Sequence, residues 1–129
     1  MINKDTLAYF SGTENYHRHG YARSFVLTDG CNYVRENGGQ NGAFWLFDII
    51  QSYQNDPKIR KCDGFQVWKL IVQPDKSAVI VLEDGNNHKV LDQKIDYTDF
   101  DLPEITIWVE DSGDGNGNLL RVALLPSEH

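Results

Sequence analysis

GAFWLFDIIQSYQ, residues 42–54, is the densest apolar and aromatic run of the sequence. Its apolar residues recur at the spacing of one helical face, which predicts a helix. This face consists of Ala43, Leu46, Phe47, Ile50 and Tyr53, and it is widened by Trp45 and Ile49. The mostly polar line left over consists of Phe44, Asp48, Gln51 and Asn55. A helix with so little polar surface must be covered by the rest of the chain.

Capping residues and glycine or proline stops divide the first half of the chain. The predicted elements are a helix over 4–10, an irregular surface segment over 13–21, a brief extended stretch over 24–27, a helix over 28–37 and the central helix over 42–54. Asn3 and Asn41 are the expected caps of the first and third helices, and Thr28 or Asp29 caps the second. Pro57 forbids continuation of the central helix.

After residue 64 the hydrophobic period changes from helical to extended. Five strands are predicted, over 65–72, 78–82, 88–95, 104–110 and 119–125. Residues 58–64 form a charged linker ahead of them, and short turns between consecutive strands predict an antiparallel meander. We therefore expect an α+β fold in which two or three N-terminal helices pack on a five-stranded antiparallel β-meander, in one domain spanning residues 1–129.

The chain is acidic, with 19 acidic and 12 basic side chains and a net charge of −7. Such a chain repels phosphate backbones, so direct nucleic-acid binding is disfavoured. Its basic residues cluster once, at Lys58, Arg60 and Lys61. Acidic surfaces can instead compete for a basic surface on a protein partner, which is the partner class that we expect.

Localisation and redox state follow from apolar run length and cysteine usage. The first ten residues mix charged and apolar side chains, which is not typical of a signal peptide. No apolar run approaches the roughly 20 residues of a membrane span. The two cysteines, Cys31 and Cys62, are expected to be reduced in a cytoplasmic protein that is a monomer or a homodimer.

His17 and His19 stand two residues apart and share a face if their segment is extended. They are weak candidates for a metal site that Asp29, Cys31 or Cys62 would complete. No C-x-x-C or H-x-x-x-H spacing supports that site, and two surface histidines flanking an arginine are the favoured interpretation. We therefore expect no metal and no cofactor.

Cys31 lies in the first turn of the second predicted helix, where the helix dipole lowers the pKa of a thiol. With His17 or His19 as base and Asp29 or Asp48 as orienting group, a cysteine nucleophile can be constructed. No nucleophile signature surrounds Cys31, so a small buried cysteine is favoured, and we predict no catalytic residues.

Two further candidates have ordinary alternatives. Asp48 could be a desolvated acid or base, but pairing with a donor such as Arg18 or Arg23 is favoured. Residues 114–118 place oxygen ligands at alternate positions, as a calcium loop does. Leu119 and Leu125 stand where that loop needs glycine and glutamate, so a glycine-rich hairpin is favoured.

The fourth predicted strand places Trp108 on its polar face, in one row with Glu104, Thr106 and Glu110. Asp92 faces water on the preceding strand. Tryptophan is enriched among interface hot spots, so these five residues are the expected partner-binding residues. The alternative is that the last strand, or the segment carrying Tyr16 and Tyr21, covers the indole.

Six blocks of the sequence carry a resemblance to a known type of family: SGTENYHRH (11–19), TDGCNYVRENGG (28–39), GAFWLFDIIQSYQ (42–54), FQVWKL (65–70), DYTDFDLPEI (96–105) and LLPSE (124–128). Together they resemble a family of small uncharacterised bacterial proteins of the domain-of-unknown-function type, met on phages, plasmids and other mobile elements. The resemblance implies this context and no established activity.

Acidity, missing catalytic signatures and this context predict a non-enzymatic protein-binding domain. The expected form is an inhibitor that occupies a basic surface of its partner, either anti-CRISPR-like or a toxin-immunity protein. The alternatives are a metal-dependent or cysteine-based hydrolase using His17, His19, Asp29 and Cys31, and a self-associating structural domain.

Overall fold

One mixed β-sheet organises the chain in a computed structural model that describes residues 2–20, 22–113 and 116–129. Over these residues the sheet has seven strands in the order β1-β2-β7-β6-β3-β4-β5. The strands are β1 (His17–His19), β2 (Ala22–Leu27), β3 (Phe65–Val72), β4 (Ala78–Glu83), β5 (Lys89–Ile95), β6 (Glu104–Gly113) and β7 (Leu119–Leu124).

The helices confirm most of the predicted N-terminal pattern. They are α1 (Lys4–Ala8), α2 (Asp29–Asn37), α3 (Phe44–Ser52) and two 3-10 helices, Pro57–Cys62 and Pro126–Glu128. Asn3 caps α1 by accepting from the Thr6 amide, and Thr28 caps α2 by accepting from the Cys31 amide. None of the helices in the described residues is long and apolar enough to span a membrane.

The α+β class is confirmed, but the five-stranded antiparallel meander is wrong. β6 pairs with β3 and leaves β5 at the edge of the sheet, while β7 pairs with β6 on one side and parallel to β2 on the other. The placement follows from side-chain chemistry. Apolar residues on both sides of β3 favour a central position, and the charges Lys89, Asp92 and Lys94 suit a strand whose outer edge meets water.

Residues 13–21 are not wholly irregular, because His17–His19 form β1. Its partner is β2, which pairs antiparallel with it through Arg18 and Val26 and continues the sheet by a parallel pairing with β7. A three-residue strand has no period that a sequence can display. Its stability comes from these neighbours rather than from local propensity.

The apolar face of α3 packs against the sheet as predicted. Leu46, Phe47 and Ile50 are buried, whereas Trp45, Ile49 and Tyr53 pack on the core at its margin. The predicted cap Asn41 is wrong. The N-cap is Ala43, whose side chain makes no capping hydrogen bond and whose amide donates to the carbonyl of Arg35, 2.7 Å away.

The turn between α2 and α3 explains this difference. Gly42 has φ of +83°, and a Cβ at this position would stand 2.5 Å from the Arg35 carbonyl oxygen. Only glycine fits both the left-handed backbone and the close approach of α2. The chain therefore enters α3 directly from a tight turn, which leaves no room for a polar cap.

The predicted charged linker 58–64 is structured. Residues Pro57–Cys62 form a 3-10 helix that buries Ile59 and Cys62 and exposes Lys58, Arg60 and Lys61. The side chain of Asp56 caps it by accepting from the Lys58 amide at 2.9 Å. Two apolar side chains among the charges are enough to hold the segment on the core.

Strand alternation gives the sheet two different faces. The core face lies under α3 and carries Trp68, Leu70, Ile80, Leu82 and Ile107, all buried. The opposite face of strands β3 to β6, which we call the outer face, consists of Phe65, Val67, Lys69, Ile71, Val79, Val81, Glu83, Lys89, Asp92, Lys94, Glu104, Thr106, Trp108 and Glu110.

Candidate functional site

The outer face carries an apolar patch that does not belong to the main core. Its six apolar side chains are half-buried: Phe65, Val67, Ile71, Val79, Val81 and Trp108. None of the six belongs to the core cluster or to the set that packs against it. Antiparallel sheets often leave one face to water, but that face is then polar. An apolar patch on the second face is typical of a binding surface.

Strand register orders the patch into rows that run across the sheet. In one row Ile71 pairs with Val79 and with Glu104, and Val79 pairs in turn with Lys94. This row therefore places two branched apolar side chains between a lysine on β5 and a glutamate on β6. The two ends of this row therefore carry opposite charges.

Trp108 stands on the outer face as predicted, beside Glu104, Thr106 and Glu110 on β6. Its ring centroid lies 5.3 Å from that of Phe65 and 5.4 Å from that of His129. His129 Nε2 in turn lies 3.5 Å from Glu110 Oε2. An aromatic cluster of three rings, bounded by a carboxylate, therefore occupies one end of the outer face.

Of the suggested covers of Trp108, the last strand is the one that lies beside it. The Tyr16 side chain is 61% exposed, and Tyr21 lies outside the described residues. The last strand β7 lies beside the indole, with Leu124 as the cross-strand partner of Trp108. His129, which follows the second 3-10 helix, also lies against the indole, and Trp108 stays half-buried.

The charges of the outer face are mixed rather than uniformly acidic. Lys69 pairs with Glu83 at 2.9 Å, and Lys89 pairs with Asp92 at 2.8 Å. The Lys89 ammonium is the main cause of the lowered pKa of Asp92. Exposed Glu104 and exposed Lys94 form no salt bridge within the described part of the chain. These two charges are available to a binding partner.

The two histidines of β1 each contact a carboxylate. His17 Nε2 lies 2.8 Å from Asp29 Oδ1, and His19 Nε2 lies 2.7 Å from Asp48 Oδ1. The hydrogen bond to His17 is the main cause of the lowered pKa of Asp29. The favoured partner class for Asp48, a nearby donor, is confirmed, but the donor is His19 rather than an arginine.

The polar line of α3 packs against β1. Beside the Asp48 contact, Gln51 Nε2 donates to the carbonyl of His19 at 2.7 Å. From α2, Arg35 Nη1 donates to the Arg18 carbonyl at 2.7 Å and lies 3.3 Å from His19 Nδ1. Because Asp48 can only accept, His19 carries its proton on Nε2 and accepts from Arg35 at Nδ1. These contacts fix an edge strand, and both nitrogens of the buried His19 are occupied.

The surroundings of the two cysteines do not suit the cysteine nucleophile considered from the sequence. Cys31 is fully buried, and burial raises the pKa of its thiol well above the ordinary value, with the Glu128 carboxylate as a second cause. Burial also raises the pKa of Cys62. Both thiols are free. Across residues 2–20, 22–113 and 116–129, no group of three or more His, Cys, Asp or Glu side chains could hold a metal ion.

Sequence reasoning missed two polar arrangements that stabilise the fold. Gln54 and Gln66 exchange two hydrogen bonds of 2.9 Å in the core, and Trp68 Nε1 donates to Gln66 Oε1 at 2.8 Å. A signal was available, because Gln66 shares the core face of β3 with Trp68 and Leu70. A buried glutamine on such a face requires a polar partner.

The second arrangement is the carboxylate of Glu128 at the start of α2. Its oxygens accept from Thr28 Oγ1 at 2.6 Å, from the Gly30 amide at 3.0 Å and from the Leu125 amide at 2.9 Å. A carboxylate is favourable at a helix N-terminus. This contact joins two residues 100 positions apart and positions the segment that places His129 on the outer face.

Comparison with known proteins gives a family but no activity. A model of a family of unknown function, DUF6876, matches residues 1–129. No curated protein and no solved structure matches the chain. The expectation of an uncharacterised domain-of-unknown-function family is confirmed, and the chain belongs to DUF6876, a family of unknown function.

Proposed function

We propose that this chain is a non-catalytic protein-binding domain and that the outer face of its sheet is the docking surface. The observation that carries the proposal is the apolar patch, whose six half-buried side chains lie apart from the core. Leaving so many branched and aromatic side chains to water is unfavourable, at about 25 cal/mol per Å² of apolar surface. Covering them with a partner recovers that free energy.

The chemistry of the patch indicates a partner with basic groups. Trp108 and Phe65 supply a rigid aromatic anchor of the kind enriched in hot spots. Glu104 is exposed at the other end of the patch, in the row of Ile71, and the chain as a whole has a net charge of −7. An acidic binder approaches a basic surface faster, because long-range attraction raises the association rate.

The concrete form that we propose is an inhibitor acting by occupation. Protein surfaces that hold nucleic acid are basic, so an acidic domain can compete for them, as an anti-CRISPR-like protein or a toxin-immunity protein would. Net charge and the resemblance to families of mobile elements support this form. The alternative, a cysteine-based hydrolase, is disfavoured because the Cys31 thiol is buried and its pKa is raised.

Substitutions on the outer face test the docking surface. Proteins retained from a bacterial lysate by the wild-type chain should be lost with Trp108→Ala and with Glu104→Lys, and should elute at raised ionic strength. Tyr97→Ala is the matched control, because Tyr97 is a 69% exposed aromatic side chain in the connection between β5 and β6 and is not one of the outer-face residues. Retention that is equal for all four proteins would contradict the proposal.

A further inference from the structure

We infer that in the free protein the partner on the outer face is a second copy of this chain, paired sheet to sheet about a two-fold axis. The inference rests on the proposed docking role of the outer face and names its occupant. It is argued from the register of four strands and the positions of their charges, which make the face complementary to itself.

The four strands in question lie in the order β6-β3-β4-β5, so β6 and β5 are equally far from the line between β3 and β4. A two-fold axis along that line, in the plane between two stacked sheets, places β5 of one copy over β6 of the other. It also places β4 over β3. Such an interface is isologous, so every contact occurs twice.

The row that contains Ile71 shows the complementarity directly. Its residues run from Glu104 on β6 through Ile71 and Val79 to Lys94 on β5. Under the two-fold axis, Ile71 faces Val79 of the second copy, and Glu104 faces Lys94 of the second copy. The dimer therefore contains two Glu104–Lys94 contacts. Neither of these outer-face residues has a salt bridge within the described chain.

The other two complete rows place charged side chains over uncharged ones. The row that contains Trp108 runs through Val67 and Glu83 to Lys89, so Lys89 of one copy lies over Trp108 of the other and Glu83 lies over Val67. Asp92, the acid on β5, already pairs with Lys89 and lies opposite the uncharged Thr106. No row sets two unpaired like charges against each other.

A second copy fits better than an arbitrary basic partner because Lys94 already lies in the same row as Glu104. Aligned sheet packing needs side chains of both sheets to interdigitate across about 10 Å. Branched side chains such as Val79, Val81 and Ile71 do this without large conformational-entropy loss. His129 stands at the Trp108 end of the face, so the contact is centred on the Ile71 end.

Charge exchange between β5 and β6 tests the pairing. Sedimentation velocity over a range of concentrations should show a wild-type dimer. Lys94→Glu and Glu104→Lys should each raise the dimer dissociation constant at least about tenfold, because the two-fold axis converts two attractive contacts into two repulsive ones. The combined variant Lys94→Glu/Glu104→Lys should dimerise again.

The most specific outcome is the mixture of the two single variants. A copy with glutamate at 94 and 104 should pair with a copy with lysine at both positions, so the mixture should form a heterodimer although neither variant dimerises alone. Lys61→Glu and Glu36→Lys, which change exposed residues outside the outer face, are the charge-matched controls and should remain dimeric.

Failure of this inference is distinguishable from failure of the proposed function. A wild-type chain that sediments as a monomer at every concentration would overturn self-pairing, as would a dimer that both charge reversals leave intact. If Trp108→Ala still abolishes lysate capture in such a monomer, the docking function stands with a foreign partner. If capture is also unaffected, both proposals are wrong.

Discussion

The side-chain amides of Gln54 and Gln66 face each other in the core and exchange two hydrogen bonds of 2.9 Å. Gln66 also accepts from the indole of Trp68, and Gln54 donates to the carbonyl of Ile50 at the end of α3. The pair therefore joins α3 to the central strand β3 through polar contacts within an apolar core. Buried amides of this kind are costly when they lose a partner.

Gln66→Leu should destabilise the protein by about 1–3 kcal/mol, because it leaves the Gln54 amide and the Trp68 indole without their acceptor. Urea unfolding, followed by tryptophan fluorescence, measures the change. The double variant Gln54→Leu/Gln66→Leu should cost less than the sum of the two single changes, because neither amide then remains unpaired. Strict additivity would show that the amide pair contributes no coupling.

Thiol reactivity should distinguish the binding domain from a cysteine enzyme. Because burial raises the pKa of both Cys31 and Cys62, neither should react rapidly with a disulfide reagent at neutral pH. In denaturant both of the two thiols should react at once. A thiol that reacts quickly in the native protein near neutral pH would revive the hydrolase.

Asp29 should contribute to acid stability with a definite sign. The hydrogen bond to His17 lowers the pKa of Asp29 below its ordinary 3.8, so the contribution is present above pH 3.8 and is lost as pH falls through the folded-state value. Asp29→Asn should be less stable than wild type near neutral pH. The stability difference should shrink as pH falls below 3.8. Thermal unfolding over a pH series measures this.

Asp96→Asn is the control for that series, because Asp96 is exposed in the connection between β5 and β6. Its thermal stability should follow that of the wild type at every pH. A stability difference for Asp29→Asn that does not change between neutral and strongly acidic pH would mean that the contact with His17 is not formed in solution.

Gly42→Ala should destabilise the protein by more than about 1 kcal/mol, because the backbone there has φ of +83° and a Cβ would stand 2.5 Å from the Arg35 carbonyl. Gly12→Ala is the matched control, since a Cβ at Gly12 meets nothing within 4 Å. Denaturation midpoints of the two variants give the comparison. Equal stability would contradict the tight turn between α2 and α3.

Local sequence signals predicted the elements whose stability is local. The caps Asn3 and Thr28 and the apolar face of α3 could all be inferred from spacing and residue type. The strand β1 could not be, because three residues carry no period. The order of strands was also missed, because it depends on pairing between distant segments such as Phe25 and Arg121.

The candidate site was predictable in part. Alternation along β6 placed Trp108, Glu104 and Glu110 correctly on one face, because that rule is local. The apolar residues that complete the patch, among them Val67 and Val81, were concealed inside continuous apolar runs. Such runs indicate burial on both sides, and only the observed packing shows that one side lacks a covering layer.

The parallel pairing of β2 with β7 has a consequence for biosynthesis. A nascent chain leaving the ribosome can close the β3-β4-β5 hairpins early. Its 22–27 segment can pair with β1, but it cannot join the rest of the sheet until residues 121–123 have been translated. The β1-β2 pair must therefore remain separate from the rest of the sheet through most of synthesis. Completion of the fold, and with it the attachment of β1, is a late event.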